Sequence, residues 1–125
     1  MNIVKAYPPN IEDIRKFLAP SPYAVFTYGD TIYTPIVTSE LSLDLIAHEE
    51  IHCKQQGNDP RGWWIEYLSN PQFRLEEEIM AYRRQWQIIK GSPDQYMRFH
   101  LIAKDLSSPM YGSIITYEEA RKMLK

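Results

Sequence analysis

Apolar residues recur at helical intervals along most of the chain, and residues that cap or break helices mark the ends of each run. The longest run begins at Asn70-Pro71, a cap followed by proline at the first helical position, and stops before Gly91. Further helices are predicted after Asn10, over residues 41–56 and 63–68, from Ser92-Pro93 to about Leu106, and after the capping box Thr116–Glu119. Most of the chain is therefore predicted to be helical.

Between the first and second predicted helices, the sequence pattern favours β-strands instead of a helix. Residues 23–28 and 31–37 are rich in β-branched and aromatic side chains, and Gly29-Asp30 between them predicts a hairpin. Pro35 lacks an N–H, so it either places the second strand at an edge or ends its pairing. The hairpin is either a structural ribbon or an edge that lines a cleft and pairs with an extended peptide. We expect a mostly helical α+β fold in a single domain over residues 1–125.

Composition and charge narrow the classes of function. The chain is 44% hydrophobic with three Trp, nine Tyr and four Phe, which is typical of a folded globular protein. Its net charge of −2 predicts neither a nucleic-acid partner nor a membrane partner. No apolar stretch is long enough to cross a bilayer, and residues 1–9 do not resemble a signal peptide. The expected location is therefore the cytoplasm.

Residues 48–52 read His-Glu-Glu-Ile-His inside a predicted helix. His48 and His52 are four residues apart, so their Cβ atoms lie about 5–6 Å apart and the two imidazoles can bind one Zn²⁺. Each residue turns a helix by about 100°, which places Glu49 where it can reach a metal-bound water. Gln55 lies about 20° from His48, one turn beyond the pair, and can hydrogen-bond a ligand. The stretch predicts a zinc site of the metalloprotease type.

A catalytic zinc site usually has three protein ligands and one water, so a third ligand is required. The candidates are His100, the cluster Glu76, Glu77 and Glu78, and scattered aspartates. On the helical wheel Glu78 lies in the middle of the apolar face, whereas Glu76 and Glu77 lie outside it. A carboxylate buried there needs a compensating partner. That partner is either the metal or a pairing with Arg74 or a tyrosine, and His100 stays an alternative ligand.

The histidine motif, followed after 25 intervening residues by Glu78-Ile-Met-Ala81, resembles zincin metallopeptidases of the gluzincin type. In particular it is similar to small zincin-like domains of bacterial and phage origin, over about residues 24–90. The resemblance implies a minimal zincin-like core with a short hairpin beside the metal helix. It implies His48, His52 and Glu78 as zinc ligands and Glu49 as the general base. The expected substrate is a peptide or protein, including a peptidoglycan peptide.

Peptide hydrolysis also requires a hydrogen-bond donor for the oxyanion. Tyr111, on a predicted loop, and Tyr82, one turn after Glu78, are the candidates. Two alternatives belong to other classes of function: a non-catalytic zinc-binding accessory or structural domain, and a helical interaction module without metal. Glu49 argues against the first, because a site that only binds metal does not need that carboxylate. The histidine spacing and Glu78 argue against the second.

Overall fold

The computed structural model describes residues 1–36 and 39–125. Within these residues the fold is α+β and mostly helical, as predicted, with six α-helices and a three-stranded sheet. The strands are β1 (Asn2–Val4), β2 (Phe26–Tyr28) and β3 (Thr31–Tyr33). The helices are α1 (Ile11–Phe17), α2 (Leu43–Gln56), α3 (Pro60–Ser69), α4 (Pro71–Ile89), α5 (Gln95–Leu106) and α6 (Tyr117–Leu124), with a 3₁₀ turn over Pro109–Tyr111.

The sheet has the order β1-β3-β2, and its hairpin is the predicted one in a shorter form. Strands β2 and β3 are antiparallel, and Gly29 adopts the positive φ of 63° that the tight turn requires. Strand β1 pairs in parallel with β3, so β3 is central and the prediction of an edge strand is wrong. The other interpretation of Pro35 agrees with the structure, because β3 ends two residues before it. Val37, the last residue of the predicted strand, lies outside the described residues.

All the predicted helices are present, and three of them begin at a different residue. Helix α2 starts at Leu43, two residues after the predicted start, with Ser42 in the N-cap position. Helix α3 starts at Pro60, three residues before the predicted start, because the carboxylate of Asp59 accepts a hydrogen bond from the Gly62 N–H at 2.9 Å and caps the helix. Helix α5 starts two residues after Ser92-Pro93, with Asp94 in the N-cap position. None of the described helices is long and apolar enough to cross a membrane.

Two apolar clusters pack on either side of the α2–α4 interface. The larger cluster joins α4, α5 and α6, and the smaller one joins α1, β2 and α3. Tyr111 packs against both clusters. The fully buried residues of α2 are all polar: Asp44, His48, Glu49, His52 and Gln56. The seam between the two clusters is therefore lined by groups that need hydrogen-bond partners or a cation.

Candidate metal centre

Two imidazoles and one carboxylate meet in this seam. His48 and His52 lie one turn apart on α2, and Glu78 faces them from α4. The two Nε2 atoms are 3.2 Å apart, and each lies 3.2 Å from Oε1 of Glu78. All three residues are buried, with 3–5% of their surface exposed. The structure thus brings together the three residues that were predicted to be ligands.

The spacing of these three atoms fits a tetrahedral zinc ion. Ligand atoms bound at about 2.0–2.1 Å in tetrahedral geometry lie about 3.3 Å from one another. The observed triangle, with three sides of 3.2 Å, has nearly this size. Among the described residues it is the one trio of His, Cys, Asp or Glu whose ligand atoms converge in this way. The donor set of two nitrogens and one oxygen is also one that zinc prefers.

A chain of buried hydrogen bonds fixes the tautomer of His48. The Asp44 carboxylate accepts from Arg98 at 2.7 Å and from the Gln85 amide nitrogen at 2.9 Å. Because a carboxylate only accepts, the Gln85 amide must turn its oxygen towards His48, whose Nδ1–H donates to it at 3.0 Å. Burial works to raise the pKa of Asp44, but hydrogen bonds from Gln85 and Ser42 and the charge of Arg98 lower it overall. The Nε2 lone pair of His48 therefore faces the triangle.

Gln55 performs the same task for His52, as predicted. Its amide nitrogen donates to the backbone carbonyl of Glu77 at 3.0 Å, and a carbonyl only accepts. The Gln55 oxygen must then face Nδ1 of His52, 2.8 Å away, and accept its proton. Both histidines are thus held with Nε2 directed at the triangle, each through a neutral amide.

The electrostatics of the triangle favour a cation at its centre. Three converging lone pairs repel one another unless a positive charge lies between them. Burial alone would lower the pKa of His52, but the charge of Glu78 and a hydrogen bond to it raise the value to about 9. Burial works to raise the pKa of Glu78, yet the charge of His52 and hydrogen bonds from both imidazoles hold it well below its ordinary range. Both shifts show that the site attracts positive charge.

The second oxygen of Glu78 is also satisfied. The Tyr67 hydroxyl donates to Oε2 at 2.5 Å, so the tyrosine partner considered for Glu78 exists beside the triangle. Arg74 is not a partner: its guanidinium donates to the backbone carbonyls of Tyr67, Leu68 and Tyr111. One oxygen of the carboxylate is therefore fixed by a hydroxyl, which directs the other towards the histidines.

Glu49 lies next to the triangle without being part of it. Its Oε2 is 3.6 Å from Nε2 of His48, and its Oε1 accepts a hydrogen bond from the Thr27 hydroxyl at 3.0 Å. The side chain is buried, and burial raises its pKa although the charges of His48 and His52 act in the opposite direction. A carboxylate with a raised pKa beside a metal site is suited to accept and return a proton.

The two candidate oxyanion donors form a pair. The hydroxyls of Tyr82 and Tyr111 are 2.7 Å apart, and the Tyr82 ring packs edge-on against the ring of His48. Burial, then the charge of Glu78, raises the pKa of both hydroxyls well above the ordinary value. Each hydroxyl therefore keeps its proton. One proton forms the bond between the two tyrosines, which leaves the other free to donate to a bound molecule.

The triangle opens into a cavity of about 640 Å³, a size typical of ligand and peptide sites. Trp63 and Trp64 line it and are also packed in the core. The β2 edge lines it too, but the Thr27 carbonyl already accepts from Gln56 at 2.7 Å and from Trp64 at 3.0 Å. At Thr27, therefore, this edge is not available for pairing with a peptide.

Four residues around the site were not predicted: Asp44, Gln85, Tyr67 and Thr27. Asp44 and Gln85 carry a signal in the sequence, because they lie four residues before His48 and seven after Glu78, on the same helical faces. Tyr67 and Thr27 come from other elements, and only tertiary packing brings them to the site. Of the predicted candidates, His100 is exposed, lies within hydrogen-bond distance of the Tyr117 hydroxyl at 2.6 Å and is not part of the triangle.

Comparison with known proteins gave no match to a family model, a curated protein or a solved structure. The assignment of a function therefore depends on the residues and the geometry of the site.

Proposed function

We propose that this chain is a zinc-dependent hydrolase, a metallopeptidase of the gluzincin type, that binds Zn²⁺ through His48, His52 and Glu78. The observation that carries the proposal is the triangle of ligand atoms with sides of 3.2 Å, with Glu49 beside it in a peptide-sized cavity. The cytoplasmic location and the peptide or protein substrate expected from the sequence are part of the proposal.

A zinc ion at this position would activate a water molecule and polarise the scissile carbonyl. Glu49 accepts the proton of the attacking water and passes it to the leaving amine. The Thr27 hydroxyl holds one oxygen of Glu49, so the other is directed towards the space beside the triangle. Because Glu49 is buried and its pKa is raised, the protonated form that must return the proton is accessible.

The Tyr82–Tyr111 pair supplies the donor for the oxyanion in this proposal. Both residues line the cavity, and the mutual hydrogen bond of their hydroxyls orients them before a substrate binds. A donor that is already oriented stabilises developing charge without reorganisation during the reaction.

The alternative is a zinc-binding domain without catalysis. The observation in its favour is the Thr27 carbonyl, which is already hydrogen-bonded and so removes one pairing position on the strand beside the site. Against it stands Glu49, a buried carboxylate that is directed towards the triangle and is not one of its members.

Metal analysis of four purified proteins tests the proposal: the wild type, His48→Ala, Glu78→Ala and the control Glu76→Ala, which changes an exposed carboxylate on the same helix. We expect one zinc per chain in the wild type and the control, and loss of zinc in the other two. Turnover of a mixed peptide library by wild type and Glu49→Gln then distinguishes a metallopeptidase from a zinc-binding domain without catalysis. Loss of the general base should reduce turnover by about 10²–10⁴-fold with zinc retained.

Zinc without turnover in the wild type would support the non-catalytic domain. A wild-type protein that does not take up zinc would contradict both the zinc-dependent hydrolase and the non-catalytic zinc-binding domain. The remaining alternative would be the helical interaction module without metal.

A further inference from the structure

The cavity around the proposed metal centre contains acidic groups, and its only basic groups among the described residues are the two histidines of the triangle. Among the residues that the structure describes, the carboxylates that line it are Glu49, Glu78 and Asp105, and none of its lining residues is Lys or Arg. The nearest guanidiniums are engaged elsewhere. Arg74 donates to three backbone carbonyls, and Arg98 forms an ion pair with Asp44 at 2.7 Å.

A zinc ion does not neutralise this cavity completely. Its two positive charges offset two of the three carboxylates, and both imidazoles are neutral when their Nε2 atoms bind the metal. One negative charge remains. Two of the carboxylates, Glu49 and Glu78, are committed to the metal centre, so the remaining charge is associated with Asp105 at the other wall.

Asp105 lies at a position where the dipole of its own helix disfavours a negative charge. It lies in the last turn of α5, where the helix dipole carries partial negative charge and favours cations instead. The charge of Asp105 also acts on the Tyr82 hydroxyl, which places this carboxylate on the Tyr82 side of the cavity. The adjacent Lys104 is exposed and does not line the cavity, but its charge opposes the rise that burial gives the pKa of Asp105. A cation from a bound molecule would offset this unfavourable charge.

The remaining walls are mostly apolar. Side chains from four segments contribute to them, including Leu18, Val25, Leu45 and Met110. Burying apolar groups of a ligand against them is favourable, whereas a carboxylate placed here would find no Lys or Arg among the described lining residues and would be repelled by Asp105.

Resting on the proposed function, we infer that the cavity selects apolar peptide segments that are neutral or positively charged, with Asp105 facing the positive group, and excludes segments that carry a carboxylate beside the scissile bond. A free C-terminus next to the cleaved bond is excluded for the same reason, so the cavity does not favour carboxypeptidase cleavage.

Three peptide hydroxamates test the inference without relying on hydrolysis. They share a leucine beside the metal-binding hydroxamate and differ only in the flanking residues, which are lysine, glutamine or glutamate, each with an amidated C-terminus. Binding to the zinc-loaded protein is measured by calorimetry and by Trp fluorescence, because Trp63 and Trp64 line the cavity. We expect the lysine probe to bind at least about fivefold more tightly than the glutamate probe, and low salt to increase the difference.

Asp105→Asn is expected to weaken the lysine probe by about two- to fivefold and to leave the glutamine probe unchanged. Glu76→Gln makes the same change of charge outside the cavity and should alter none of the three affinities. Equal affinities for the three probes, or a charge preference that persists in Asp105→Asn, would overturn the inference.

Peptides of the same sequences, assayed for cleavage, separate this inference from the proposed function. Charge-selective binding without cleavage would support the inference and contradict the peptidase. Cleavage of all three peptides without a preference for charge would support the peptidase and contradict the inference. Failure of every probe to bind would overturn the inference together with the metal centre on which it rests.

Discussion

The hydrogen-bond partners of the two histidines determine which nitrogen atom each imidazole directs towards a cation. His48 and His52 each donate Nδ1–H to a glutamine oxygen, and each glutamine is anchored by a group that can only accept. The imidazoles therefore direct their Nε2 atoms at the triangle, and a metal would replace the proton that His52 carries there below about pH 9. Since the partners are amides and not carboxylates, they fix the orientation of the rings without adding negative charge to the ligands.

Gln85→Leu tests this role. The change removes the hydrogen-bond acceptor of His48 Nδ1–H and leaves the three ligands in place, so we expect zinc affinity to fall by about 10–100-fold. Competition with a chromophoric chelator measures the dissociation constant. Gln87→Leu, an exposed position on the same helix, is the matched control and should keep wild-type affinity. Equal affinities in the two variants would show that Gln85 does not position His48.

The pKa of His52 predicts how the stability of the metal-free protein depends on pH. Burial acts to lower that pKa, but Glu78 raises it from 6.5 to about 9 in the folded protein. Because the folded-state value is the higher one, the stabilisation is complete below about pH 6.5 and is lost as the pH rises through about 9. With a chelator present, the free energy of unfolding should fall by up to about 3 kcal/mol between about pH 6 and about pH 10.

Urea unfolding across this range measures the change. His100→Gln should retain it, because His100 is exposed and lies away from the triangle. His52→Gln should abolish it. A flat profile in the wild type would contradict the imidazolium–carboxylate pairing of His52 and Glu78.

At the scale of the elements, Arg74 fixes three parts of the chain to one another. From α4 its Nη1 donates to the carbonyls of Tyr67 at 2.7 Å and Leu68 at 3.3 Å, near the end of α3. Its Nε donates to the Tyr111 carbonyl at 2.9 Å, in the 3₁₀ turn. Two tyrosines of the site, Tyr67 and Tyr111, thus have their backbones held by one buried cation.

Arg74→Met should therefore destabilise the fold and disturb the site at the same time. It leaves three carbonyls without their donor, which we expect to cost about 2–4 kcal/mol of unfolding free energy. Arg84→Met, at an exposed position of the same helix, should change stability by less than about 0.5 kcal/mol. Denaturant titration measures both. Equal stabilities of the two variants would show that the hydrogen bonds of the Arg74 guanidinium to the three carbonyls do not add to the stability of the fold.

The sequence predicts those elements whose boundaries depend on local chemistry. The side chain of Asn70 accepts hydrogen bonds from the first turn of α4, and Thr116 and Glu119 form the expected capping box of α6. Strand β1 could not be predicted, because its three exposed residues pair with residues 31–33, far along the chain. The three residues of the triangle could be predicted for a local reason as well: the two histidines share a helical face, and a carboxylate on an apolar face requires a partner. Thr27 and Tyr67 reach the site only through packing between elements.

At the scale of the whole molecule, α2 differs from an ordinary amphipathic helix. It is packed between two apolar clusters, yet each of its fully buried residues is polar or charged. Buried polar groups stabilise a fold only when they are fully satisfied. The hydrogen bonds of Asp44, Glu49 and Gln56 satisfy their part of this face. The converging Nε2 and Oε1 atoms are the part of this face that a cation would join.

Zinc should therefore stabilise the entire fold and not only the site. Because the ligands come from α2 and α4, unfolding must release the metal, and free zinc at about a thousand times its dissociation constant adds about 4 kcal/mol. For a chain of this length that corresponds to a rise of about 10–20 °C in Tm. Calorimetry of the chelated and the zinc-loaded protein measures the shift; Glu76→Ala should show the same rise, and His48→Ala little or none. A rise of equal size in His48→Ala would mean that zinc binds elsewhere. An unchanged Tm of the wild type on addition of zinc would mean that zinc does not stabilise the fold, and that protons alone satisfy the buried polar face of α2.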